Sequence, residues 1–210
     1  MSQTEPKYAH RKLHLGLLPK QYALFLGRFS PEKNCHLLID AFEAIVTPMK
    51  LVLAGGSSHT DEYAAGLRKH HSERVKVLDW VSGPALDELL TNAALFVLPS
   101  DMEGLSLSLL DAMGAGVCVL ASDIPENVEA IADAGFTFKA GDVHDLRRML
   151  AVLLEDSTLR ENAARRAQER VRQCYLWDNV AKEMSFLYDS LSQRPCMKAA
   201  APRNALRKPA

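Results

Sequence analysis

The chain has 210 residues in which 25 Lys and Arg nearly balance 26 Asp and Glu, for a formal net charge of −1, and 48% of the residues are hydrophobic. That length supports one sizeable core, and the balanced charge gives no electrostatic reason to expect a nucleic-acid partner. No run reaches the roughly eighteen apolar residues of a membrane span, and the N-terminus lacks a signal peptide's apolar centre, so a cytoplasmic protein is expected.

Cys35, Cys118, Cys174 and Cys196 are scattered with no Cys-x-x-Cys pair, which argues for reduced thiols rather than a zinc site or a disulfide framework.

Residues 1–20 are polar and basic with little periodicity; the first committed element is the apolar run Tyr22-Ala-Leu-Phe-Leu-Gly27, a buried strand ending in glycine. Leu37, Leu38, Ala41, Phe42 and Ile45 then recur at helical spacing, and Lys50-Leu-Val-Leu-Ala-Gly55 is a second strand. A helix near 60–71, a strand Val75–Leu78, a helix near 84–93 and a strand Leu95–Leu98 follow. A helix from Gly104 to Gly114 and a strand Val117–Ala121 continue the alternation. Short, fully apolar strands separated by helices mean a parallel sheet covered on both faces, that is, an α/β Rossmann-like, doubly wound domain over residues 21–192.

Asp123, with Pro125 and then Glu126 three residues on, suggests a capping box that opens a helix to about Ala132. Phe136-Thr-Phe138 is a short edge strand. The apolar stripe Leu146, Met149, Leu150, Leu153 and Leu154, an arginine-rich helix over 157–173 and a final helix Trp177–Leu191 make the last third helical. Trp177, Val180, Met184 and Leu187 form an apolar face on that final helix, suited either to internal packing or to docking a partner. The tail 193–210 has five cations and no acids, and its composition predicts disorder, with peripheral contact to an anionic membrane as the alternative.

In an open parallel sheet, ligands bind outside the carboxyl ends of the strands, and the informative residues of this chain fall there. Gly27-Arg-Phe-Ser-Pro-Glu-Lys-Asn34 places Arg28 and Lys33 on a turn before a helix whose N-terminal amides favour an anion. Two cations there suit a diphosphate. Gly55 and Gly56 either let a backbone approach a ligand closely or form a plain turn. In Asp79-Trp80-Val81-Ser82-Gly83, Trp80 and the backbone of Val81 could meet a nucleobase, although Trp80 equally suits the core.

The segment Pro99–Asp111 carries most. A strand runs into the loop acid Glu103, the amides of Gly104, Leu105 and Ser106 can hold a phosphate or sugar oxygen, and a helix then carries Asp111. At about 1.5 Å per residue the two acids are separated by roughly 12 Å of helix rise, too far to share one proton or metal. They should touch different parts of one elongated ligand. Asp111, between Leu110 and Ala112, is costly to bury unless it accepts hydrogen bonds. No Asp-x-Asp occurs and the histidines show no metal-ligand spacing with acids, so neither a metal nor a cofactor is expected.

The two motifs, Arg28 with Lys33 in Gly-Arg-Phe-Ser-Pro-Glu-Lys-Asn and Glu103 to Asp111 in Glu-Gly-Leu-Ser-Leu-Ser-Leu-Leu-Asp, resemble the retaining GT-B glycosyltransferases of the family 4 (group 1) type. The similarity is to their C-terminal half, over about residues 20–192. It implies a nucleotide-sugar donor domain that moves a hexose from a nucleoside diphosphate to a saccharide or lipid-linked acceptor. On this resemblance Arg28 and Lys33 bind the donor diphosphate, Glu103 contacts hydroxyls of the donor sugar, and Asp111 contacts the ribose. Arg28, Lys33 and Glu103 are then the catalytic candidates. Gly27, Gly55, Gly56, Trp80, Val81, Gly104, Leu105, Ser106 and Asp111 complete the donor site.

Two departures from the family pattern matter. Asp111 stands where the family usually has Glu, one methylene shorter, which predicts a weaker or water-bridged ribose contact. The acceptor-binding N-terminal half has no counterpart, so a separate acceptor-binding subunit or domain is expected as partner. The alternative is a non-catalytic nucleotide-sugar-binding module or truncated remnant. A nicotinamide-dependent oxidoreductase is disfavoured because neither Gly27 nor Gly55 begins Gly-x-Gly-x-x-Gly.

Overall fold

The computed structural model describes residues 16–57 and 59–192. The readings for residues 1–15, for the basic tail 193–210 and for Cys196 lie outside that range. The chain divides into two compact units with the boundary between Cys174 and Tyr175.

The first unit is a six-stranded parallel sheet made of β1 (Tyr22–Leu26), β2 (Lys50–Ala54), β3 (Val75–Leu78), β4 (Leu95–Leu98), β5 (Cys118–Ser122) and β6 (Phe136–Phe138). Their order is β3-β2-β1-β4-β5-β6. The strands are short and apolar, and Tyr22, Leu24, Phe25, Leu51, Leu53, Phe96, Val97, Val119 and Leu120 are fully buried. At about 2 kcal/mol for each large side chain removed from water, these residues supply much of the drive to fold. The Tyr22 hydroxyl, buried with its strand, donates to the Leu89 carbonyl, so the one polar atom on that side chain is satisfied.

Between the strands run α1 (Cys35–Glu43), α2 (Asp61–Arg68), α3 (Pro84–Thr91), α4 (Leu107–Gly114) and α5 (Pro125–Ile131), followed by α6 (Val143–Glu155) and α7 (Ser157–Cys174). The right-handed rule for parallel crossovers puts α1 and α2 on one face of the sheet and α4 and α5 on the other. α6 packs against α1, and α7 against α4 and β5. The stripe Leu146, Leu150, Leu153 and Leu154 is the buried side of α6, whose N-cap Asp142 accepts from the amides of His144 and Asp145. The second unit contains α8 (Trp177–Ser192), on which Trp177, Val180, Met184, Leu187 and Leu191 recur along one face.

Two local expectations are corrected. Asp123 does not cap α5: Ile124 occupies the cap position without a side-chain bond, and the Asp123 carboxylate accepts from the Ala140 amide at 2.8 Å. A local motif loses here to a tertiary partner that needs the same oxygen. α4 begins at Leu107 rather than Gly104, because Ser106 caps it by accepting from the Leu109 amide and leaves Gly104 and Leu105 in the loop.

Strand order reverses between β1 and β4, which pair through Ala23 with Leu95 and Leu24 with Phe96. A crevice opens at such a switch point, where the chain leaves the two strands in opposite directions. The loop after β1 carries Arg28 and Lys33, and the loop after β4 carries Glu103.

Candidate functional site

The loop after β1 is anchored before it reaches its charged residues. Phe29 is fully buried, its amide donates to the Gly56 carbonyl at 2.8 Å, and its carbonyl accepts from the Thr60 hydroxyl at 2.5 Å. A short 3₁₀ turn, Pro31–Lys33, then leads to Asn34 in the left-handed region at φ 50°, and α1 starts at Cys35. A proline opens the turn because its ring presets φ and its missing N–H is not needed there.

Three bonds fasten this loop to the one after β4. The Asp101 amide donates to the Glu32 carbonyl at 2.9 Å. Lys33 Nζ donates to Glu103 Oε1 at 2.6 Å, and Asn34 Nδ2 to the Pro99 carbonyl at 3.2 Å. The ion-paired side chains of Lys33 and Glu103 are only 14% and 8% exposed, so solvent screens the pair little. Two side chains that the sequence assigned to different parts of a ligand are therefore each other's partner here.

Glu32 belongs to the same cluster and was not singled out by the sequence. Its carboxylate accepts from the Ser30 hydroxyl at 2.5 Å. That bond and its own backbone amide, followed by the charges of Arg28 and Lys33, hold its carboxyl below the usual range. An acid immediately before the lysine of a loop with two cations was the available signal. Arg28 is exposed, and its charge reaches the cluster through Glu32.

At the carboxyl end of the same strands, Leu26, Gly27, Ala54, Trp80, Val81, Leu86, Ser108 and Asp111 line a cavity of about 180 Å³. Trp80 is 61% exposed, which excludes the core reading. The two glycines after β2 are needed for close packing: a Cβ on Gly55 would lie 1.8 Å from the Gly27 carbonyl oxygen, and one on Gly56 would lie 2.4 Å from Trp80 Nε1. They seat the neighbouring backbone and the indole that borders the cavity. Asp111 lies on the open side of α4, and desolvation still raises its pKa.

Gly104 and Leu105 are exposed and Ser106 is buried. Their three amides donate to no acceptor among the described residues. Unmatched amides at a helix start form an anion-binding concavity. Behind them a buried relay fixes the loop: the Ser122 hydroxyl donates to the Ser100 carbonyl, and Asn127 Nδ2 donates to the carbonyl and hydroxyl of Ser122. Nothing in the local sequence pattern marks that relay. Among the described residues, no group of three His, Cys, Asp or Glu is arranged to hold a metal ion, and no helix is long and apolar enough to cross a membrane.

The model of the family described as "Glycosyl transferases group 1" matches residues 11–170. The chain belongs to that family. This group 1 glycosyltransferase chain is 32% identical over 178 residues to the N,N'-diacetylbacillosaminyl-diphospho-undecaprenol alpha-1,3-N-acetylgalactosaminyltransferase of Campylobacter jejuni, with 84% of this chain and 46% of that protein covered. It is 29% identical over 178 residues to the O-antigen chain mannosyltransferase B of Escherichia coli, covering 81% of this chain and 46% of that one. Among solved structures, the Anabaena protein HepE in complex with UDP and glucose superposes with a TM-score of 0.76 at 22% identity, over 84% of this chain and 50% of HepE. The sucrose-phosphate synthase of Thermosynechococcus elongatus gives a TM-score of 0.74 at 24% identity, over 82% of this chain and 46% of that one. The group 1 glycosyltransferase chain thus spans about half the length of the curated relatives it matches, and its Rossmann-like α/β fold matches about half of each of these GT-B glycosyltransferase structures.

Proposed function

We propose that this chain is the nucleotide-sugar-binding half of a retaining glycosyltransferase that moves a hexose from a nucleoside diphosphate to a saccharide or lipid-linked acceptor. The observation that carries the reading is the meeting of Lys33 and Glu103 across the β1/β4 switch point, on the loop whose next three amides are unmatched, at the same carboxyl end of the sheet as a cavity edged by Trp80 and Asp111. A nucleoside diphosphate sugar has that sequence of chemistries: base, ribose, pyrophosphate, hydroxylated ring. HepE, described in complex with UDP and with UDP-glucose, supports the choice of ligand class.

In this reading Trp80 and the backbone of Val81 hold the base, and Asp111 accepts from the ribose. Gly27, Gly55 and Gly56 keep the floor of the cavity low enough for the nucleoside. Arg28, Lys33 and the amides of Gly104, Leu105 and Ser106 surround the diphosphate and stabilise the charge that grows on it as the sugar departs. The neutralisation comes from cations and amides and calls on no metal. Lys33 exchanges Glu103 for phosphate oxygens when the donor enters, and the released carboxylate turns to the sugar hydroxyls. A diphosphate carries more charge than a carboxylate, so it wins that exchange.

Transfer requires an acceptor-binding half, supplied by a further domain or a separate subunit. The protein works in the cytoplasm, with at most peripheral membrane contact. A second reading is a module that binds the nucleotide sugar without turnover.

Titration calorimetry with a panel of nucleoside diphosphates and their sugars tests both readings. Binding that is lost on Arg28→Ala or Lys33→Ala is expected, and no binding by any member of the panel removes both. Product formed only after an acceptor-binding partner is added separates the enzyme from the binding module.

A further inference from the structure

Of the three bonds that fasten the loop after β1 to the loop after β4, the one made by Asn34 does not need to break when a ligand arrives. The Lys33–Glu103 pair must open if Lys33 is to meet a phosphate. The Asp101–Glu32 bond is between backbones and independent of side-chain identity. Asn34 is thus the side chain that can hold the two loops at a fixed spacing in the empty and the occupied site alike.

Its surroundings suit that role. Asn34 is 7% exposed, and its backbone is pinned on both sides, by its amide donating to the Pro31 carbonyl at 3.0 Å and its carbonyl accepting from the Leu38 amide at 3.1 Å. With the backbone fixed at φ 50° and ψ 35°, Nδ2 reaches the Pro99 carbonyl at 3.2 Å. Glycine would adopt that left-handed conformation without strain, so the turn alone does not require asparagine. What asparagine adds is the bond that crosses to β4. It sits next to Lys33 in the chain, and Pro99 lies four residues before Glu103.

We propose that Asn34 is a positioning residue that sets the distance between the cationic loop and the acid-and-amide loop, so that the site grips two linked phosphates and discriminates against one. The inference rests on the nucleoside diphosphate reading. A diphosphate must touch Lys33 on one loop and the Gly104–Ser106 amides on the other at once, and spacing held in advance removes an ordering cost from that step. A monophosphate engages one loop at a time and gains nothing from the spacing.

The test compares wild type with Asn34→Gly, which keeps the left-handed turn and deletes the donor, and with Asn34→Asp, which turns a carboxylate oxygen toward the Pro99 carbonyl. Calorimetry with UDP and UMP, repeated with the other common nucleotides, should show Asn34→Gly weakening the diphosphate about fivefold, Asn34→Asp weakening it more, and the monophosphate unchanged. A double-mutant cycle of Asn34→Gly with Glu103→Gln in urea unfolding should be non-additive. Equal loss for both nucleotides, no loss for either, or an additive cycle overturns the role of Asn34. If wild type binds no nucleotide of either kind, the donor reading falls and takes this discrimination with it, while the cycle separately reports whether Asn34 sets the loop geometry.

Discussion

Lys33 Nζ lies 2.6 Å from Glu103 Oε1, although 70 positions separate the two residues in the chain. Parallel pairing of β1 with β4 brings their loops together, and the low exposure of both side chains makes the pair a structural element as well as part of a candidate site. Removing one partner leaves a charge with little access to water. Glu103→Ala is therefore expected to destabilise the fold by about 3 kcal/mol, and the double variant Lys33→Met/Glu103→Leu by less than that. Urea unfolding of the single and double variants checks this; a double variant as unstable as the sum of the singles contradicts it.

The two glycines after β2 should respond differently to the same added methyl. At Gly55 the new Cβ meets the backbone oxygen of Gly27, which cannot yield, so Gly55→Ala is expected to cost about 3 kcal/mol in unfolding measurements. At Gly56 it meets the exposed indole of Trp80, which can swing away. Gly56→Ala should leave stability within about 1 kcal/mol of wild type and weaken nucleotide binding as much as Trp80→Ala does. A Gly56→Ala variant that binds normally would separate Trp80 from the base.

Asp145 carries a pH dependence whose sign follows from its partners. The Lys139 amide, first, and the Arg148 guanidinium, second, hold its carboxyl below the usual value. A depressed folded-state pKa contributes stability that is full above the ordinary aspartate range and lost as pH falls through the lowered value. Asp145→Asn should thus be less stable than wild type at neutral pH, with the gap closing as the solution is acidified below about pH 4. Thermal unfolding across pH 2.5–7 in steps of about half a unit reads it; a gap that stays constant denies the carboxylate this role.

Asp111 borders the cavity with an open side and a pKa raised by desolvation, which means that partial burial disfavours its charged form. The raised value also means that Asp111 opposes folding slightly once ionised. Asp111→Asn should therefore be neutral or mildly stabilising above the ordinary aspartate range, and should weaken ribonucleotide binding. Asp111→Glu, which adds one methylene of reach, should tighten it. Calorimetry with ribo- and deoxyribonucleoside diphosphates tests the pair; an Asn variant that binds both as wild type does removes Asp111 from the ribose.

The strands were legible because their buried residues are contiguous in sequence: a short apolar run such as Tyr22–Leu26 or Leu95–Leu98, set between helix-patterned segments, suits an interior parallel strand, and all six came out within a residue or so of where the apolar runs lie. Fold class and the loops that bear Arg28, Lys33, Glu103 and Asp111 are local patterns in the same sense, set by hydrophobic spacing and by glycine, proline and charge at the strand ends. Features that depend on a partner far along the chain were not readable. Asp123 has the spacing of a helix cap and serves the Ala140 amide instead, Glu32 joins the cationic loop through Ser30, and the Ser100–Ser122–Asn127 relay has no local signature. Sequence alone determined which residues stand at the carboxyl edge of the sheet, because periodicity reports which side of an element is buried. Only the tertiary structure decided that Lys33 and Glu103 touch and that Asn34 fastens their loops, because those distances follow from strand order, which no periodicity encodes.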